Sequence, residues 1–159
     1  WDTETGGTMH YFSNIYQYKN AHGVYSQPDP PSTEGGGKYG VTFYSHIYTL
    51  PVQKKKYYLA ISEAVLSTKD YTQSIQVFAI NRHTLDDSVR IIRTSQGLVS
   101  SINIDYDFLY TVEHPELHLI DYDPVKKIIR IPVIKDNGAV TKRVMLYKFT
   151  GRYFQHIRR

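Results

Sequence analysis

From about Thr8 onward the chain alternates apolar and polar side chains with a period of two, and a helical period is hard to find in it. Successive side chains of a strand point to opposite faces of a sheet, so this pattern commits the chain to sheets with one face covered. "TMHYFSNIYQYKN" (8–20) places His10, Phe12, Asn14, Tyr16 and Tyr18 on one side. After a short "GVY" come "VTFYSHIYTLPV" (41–52) and "KYYLAISEAVLS" (56–67), which read as a hairpin around Lys54-Lys55-Lys56. "QSIQVFAINR" (73–82), "SVRIIRT" (88–94), "SSINIDYDF" (100–108), "LHLIDYD" (117–123), "KKIIRIPVI" (126–134), "AVTKRVMLYKF" (139–149) and "RYFQHI" (152–157) continue the pattern between turn-type joins. Only "EAVLSTKD" (63–70) reads as a helical turn.

Nine or ten short antiparallel strands without crossover helices predict an all-β meander. A sheet of that many strands curls, splits or closes, so a two-sheet sandwich or strongly bent sheet is expected, with a partly open β-barrel as the alternative. At 159 residues the chain has the length of one domain, and a single all-β domain over 1–159 is expected. Its one long break is "SQPDPPSTEGGGKYG" (26–40), whose three prolines and four glycines favour a flexible loop over a strand. The first residue is Trp1 rather than Met, as expected of a processed or partial chain.

Composition removes several functions. With no cysteine there is no disulfide framework, no Cys-ligated zinc and no cysteine nucleophile. The net charge of +4 is uneven: residues 126–159 hold ten Lys/Arg against Asp136 alone, giving +9, and the rest of the chain sums to −5. That basic end invites a nucleic-acid reading, but its cations are spread along strand segments as solvated positions are. No RNP-like aromatic motif accompanies them, so no nucleic-acid partner is expected. A G-x-S-x-G elbow, a Walker loop and a dinucleotide fingerprint are absent, and no cofactor is expected.

Three groups of residues carry candidate chemistry. Asp121 and Asp123 stand two apart before Pro124, a spacing that suits either a cation or a turn. Lys126 and Lys127 follow where further ligands belong, which favours the turn. Asp105 and Asp107, with Glu63, are the carboxylates a hydrolase would use, assisted by a metal on His114 and His118. In an extended strand those two histidines lie about 13 Å apart, too far for one ion, so no metal site is expected. The third group is aromatic: Tyr16 and Tyr18 on the first strand, and Tyr44, His46 and Tyr48 on the next long one. If those strands pair, the rings form a platform that combines stacking faces with hydroxyls, as glycan or peptide binding requires.

The stretches "GGTMHYF…QYK", "STKDYTQSIQVFAI" and "YDPVKKIIRIPVI" with "VTKR" and "LYKFTGRYF" make the chain similar to a group of secreted β-rich proteins of Gram-negative bacteria. The resemblance covers most of the chain outside 26–40. It implies an exported address, periplasmic or on the outer surface, and association with the cell envelope. It implies no activity and no site residues. The expectation is therefore a non-catalytic binding or structural module that recognises a glycan or peptide through its tyrosines, with the Asp105/Asp107 hydrolase as the alternative.

Overall fold

A computed structural model describes residues 10–28, 42–53 and 55–158. Most of the proline- and glycine-rich stretch 26–40 lies outside the described residues; its first three close strand β2. The protein is all-β, as the alternation predicts. Thirteen strands are described: β1 (Ile15–Asn20), β2 (Gly23–Pro28), β3 (Thr42–Val52), β4 (Lys55–Val65), β5 (Asp70–Asn81), β6 (Thr84–Asp86), β7 (Ile92–Thr94), β8 (Gly97–Val99), β9 (Ser101–Asp107), β10 (Asp121–Asp123), β11 (Ile128–Ile134), β12 (Val140–Phe149) and β13 (Phe154–Ile157). There are more than the nine or ten expected, and the two that the alternation did not mark, β6 and β8, are three residues long. That is too short for a period of two to register.

Two sheets form a sandwich. In the first, β3, β4 and β5 are antiparallel neighbours, and the far edge of β5 is shared end to end by β6 and β9. The second has the order β10-β11-β12-β13-β7-β8 and is antiparallel except where β13 runs parallel to β7. The chain thus leaves the first sheet for the β7–β8 hairpin, returns for β9, and leaves again. Leu59, Ile61, Ile75, Val77 and Ile104 from one sheet pack against Tyr122, Ile129, Ile131, Tyr147 and Phe154 from the other in one buried cluster. Gln73 ties the layers with a polar bond, its buried Oε1 accepting from Ile120 N at 2.6 Å.

The helical turn lies elsewhere than expected. Val65 still belongs to β4, and Ser67 and Asp70 close a tight turn into β5, with the Ser67 hydroxyl 2.6 Å from Asp70 Oδ2. The helix of the described chain is α1 (Phe108–Glu113). Asp107 starts it, its Oδ1 accepting from the N–H groups of Leu109 and Tyr110 at 3.0 and 3.3 Å. This end of the molecule is stitched together by backbone bonds: Asp107 N donates to Gly138 O at 2.9 Å and Phe108 N to Lys69 O at 2.7 Å.

The hairpin β1–β2 belongs to neither sheet. It lies over the outer face of the β3–β4–β5 layer and is held there by aromatic side chains. Tyr16 contacts Phe78 on β5, and the Tyr18 hydroxyl donates to His83 O at 2.8 Å. The His83 ring meets Tyr25 of β2, Nδ1 to hydroxyl, at 2.7 Å.

Candidate functional site

The register of the first sheet decides which residues reach the space beneath the hairpin. Tyr44, Ser62, Ser74 and Asn103 form one cross-strand row over β3, β4, β5 and β9. The next row outward is Ile47, Ala60, Gln76 and Ser101, and beyond it Tyr58 faces Phe78. Alternate residues of these strands, Leu59, Ile61, Ile75 and Val77, are the buried core, so the rows lie on the opposite, outer face.

Under the hairpin two recesses open side by side. The smaller, about 180 Å³, is lined by Asn14, Tyr16, Tyr44, Ser62, Ser74 and Asn103 among others. The larger, about 870 Å³, runs along the hairpin and is walled by Ile15, Ile47, Ala60, Phe78, Ile80 and Leu85. Tyr16 and Tyr44 stand between them, their hydroxyls 2.8 Å apart and their rings edge to face at 5.7 Å. Ser62 is 4% exposed, and its hydroxyl makes no hydrogen bond to another described residue.

The five expected aromatic residues are divided by a β-bulge. Tyr44 pairs with Ser62 and His46 with Ile61, so Ser45 is an extra residue and the strand changes face across it. Tyr44 faces the hairpin. His46 and Tyr48 turn to the core side, stacked on each other at 6.0 Å, with Tyr48 edge-on to Tyr122 of the other sheet. Tyr18 is buried and stacks on Tyr25, so it anchors the hairpin. Nor do the first and third strands pair: β1 pairs with β2, and Tyr16 reaches Tyr44 across a sheet face rather than along an edge. Of the expected platform, Tyr16 and Tyr44 come together at the cleft.

The carboxylates do not converge. Asp105 pairs with Thr72 on the outer face and accepts its hydroxyl at 2.6 Å, whereas Glu63 pairs with Gln73, whose side chain turns to the core side. Asp107 is occupied in capping α1. His114 closes α1 with its ring on Tyr110 and Nδ1 at 3.6 Å from Glu116, and among the described residues no three His, Asp or Glu side chains gather as metal ligands. Burial, with Glu63 and Tyr71 nearby, pushes the Tyr106 hydroxyl well above the usual phenol range.

The Asp121-Tyr122-Asp123 pair is a turn device with a cation of its own. Asp123 Oδ1 accepts from Val125 N at 3.0 Å and Lys126 N at 2.9 Å, which shapes the β10–β11 turn. Arg130 then bridges the two acids, Nη1 to Asp121 at 3.0 Å and Nη2 to Asp123 at 3.2 Å. Those backbone donors and Arg130 hold the Asp123 carboxyl below its ordinary value. Lys126 and Lys127, which argued against a bound cation, are not the main partners: register puts Arg130 opposite Asp121, and Lys126 Nζ stays 4.0 Å from Asp123.

Reasoning from sequence missed Ser62, Ser74 and Asn103. Their signal was available: small polar residues in mid-strand, at the alternate positions of the most apolar strands. No family model, curated protein or solved structure matches the chain. No helix among the described residues is long and apolar enough to cross a membrane.

Proposed function

We propose that the chain is a non-catalytic binding module whose ligand, a glycan, sits in the cleft between the β1–β2 hairpin and the outer face of the first sheet. The observation that carries this reading is the row Tyr44–Ser62–Ser74–Asn103, which sets a ring and a hydroxyl beside two small polar groups on a rigid floor. A sugar presents the complement: a ring face that stacks on tyrosine and hydroxyls that both donate and accept. Strands hold such a floor with little freedom to lose on binding. The separation of Glu63 from Asp105 speaks against the hydrolase. The exported, envelope-associated address accompanies this proposal and rests on the sequence resemblance; fractionation of the native cells tests it.

Calorimetric titration against a panel of mono- and oligosaccharides tests the binding. Tyr44→Ala removes the stacking ring and is expected to weaken any positive sugar at least tenfold, while Tyr48→Ala, on the other face, leaves affinity unchanged. Equal losses in the two variants would overturn the placement of the site, and a panel without a single positive would overturn the function.

A further inference from the structure

The outer face changes character along its strands. From the row Ser62–Ser74–Asn103 it passes through Ala60 and Gln76 to Tyr58 and Phe78, and ends on Ile80 opposite Leu85. Ser74 to Ile80 is six residues of strand, about 20 Å at the rise of an extended chain. The small polar recess lies at one end of this gradient and the large apolar one at the other, and Asn14, Tyr16, Tyr44 and Phe78 line both. The two are therefore compartments of one cleft.

We propose that the ligand is an amphiphile: a neutral, hydroxylated head on the polar floor, joined to a hydrocarbon chain lying between the hairpin and the apolar rows. This rests on the binding reading above and narrows its ligand class. The apolar compartment, at about 870 Å³, is of a size that small-molecule sites use, and a sugar alone has nothing to place against Ile15, Ile47, Ile80 and Leu85. Ile15 and Ile47 are 57% and 68% exposed, an apolar rim that a bound chain would cover. Charge argues for a neutral head. Among the described residues, Asp87 is the ionisable carboxyl or amine lining the polar compartment and Lys19 the one lining the apolar compartment, with no basic cluster in either. A phosphate or sulfate head would call for paired cations.

The test is titration with methyl, butyl, hexyl and octyl β-glucoside, each below its micelle concentration, with sodium octanoate as the charged-head control. Affinity is expected to rise with chain length, approaching about fourfold per methylene where the chain is fully buried. Octanoate is expected to bind more weakly than the octyl glucoside. Ser62→Ala should weaken every glucoside by a similar factor and leave the slope intact. Ile47→Ser, at an exposed position that does not threaten folding, should flatten the slope; Ala60→Leu, which fills the floor, should do the same more strongly. Glucosides that bind with no dependence on chain length would overturn the amphiphile and leave the glycan module standing. Octanoate binding as tightly as octyl glucoside would overturn the head assignment, and failure of every glucoside, the methyl one included, would count against both readings.

Discussion

Replacing Gly138 by alanine probes how the α1 end of the sandwich is held. Gly138 has φ +82°, and a Cβ built on it would lie 3.1 Å from Asp107 N and 3.3 Å from Asp107 Cβ. Left-handed backbone costs an alanine about 1–2 kcal/mol. Restricting the unfolded chain returns about 0.4–1 kcal/mol. Those two effects act equally at Gly151, where φ is +97° and a Cβ would meet nothing within 4 Å. Gly151→Ala should therefore cost no more than about 1.5 kcal/mol. At Gly138 a steric cost is added, because Asp107 cannot retreat. Its N–H is bonded to Gly138 O, its strand is paired to Asp70, and its side chain caps α1. Overpacking against such fixed atoms costs about 1–3 kcal/mol, giving about 1–5 kcal/mol in all. At mid-range values, about 3 kcal/mol over a urea slope of about 2 kcal/mol per M, the Gly138→Ala midpoint should fall by about 1.5 M. Hydrogen exchange at the Asp107 amide should quicken along with it. Equal urea midpoints for Gly138→Ala and Gly151→Ala would mean that the close approach to Asp107, which alone separates the two sites, carries no steric cost.

Three further outcomes are expected. Asp123→Asn should lower the melting temperature most at neutral pH: a carboxyl held below its ordinary value stabilises above the unfolded pKa, about 3.9, and loses that contribution as pH falls through the folded one. The gap between the two melting curves should close in acid. Tyr106, Tyr122 and Tyr147, whose hydroxyls burial raises above the ordinary 10.0, act in the opposite sense. Their contribution is complete below about pH 10 and is lost as pH rises toward the folded values, so the protein should unfold in alkali, with Tyr106→Phe more resistant by circular dichroism. Arg130→Ala should cost about 1 kcal/mol at low ionic strength by leaving Asp121 and Asp123 to repel each other, Arg130→Lys should recover part of it, and 1 M salt should shrink both effects.

Much of the architecture was legible because strand alternation is local. The pattern in "KYYLAISEAVLS" and "QSIQVFAINR" marks Leu59, Ile61, Ile75 and Val77 as a buried face without any knowledge of what covers them. The turn at Asp123-Pro124 was equally legible, since an aspartate accepting nearby N–H groups needs no distant partner. The helix was misplaced for the converse reason. Residues 63–70 have moderate helical character, but β4 already pairs with β5 as far as Val65–Tyr71, and that ladder overrides it.

Composition and periodicity alone determined an all-β chain in layered sheets, because the two faces of a strand are written into every second residue. Which tyrosines meet was decided by tertiary structure. One extra residue, Ser45, turns Tyr44 away from His46 and Tyr48, and the free hairpin brings Tyr16 to it over the face of a sheet. The cleft exists only because strands far apart in sequence align Ser62, Ser74 and Asn103 in register. Register depends on pairing partners and bulges, and a period of two cannot encode either.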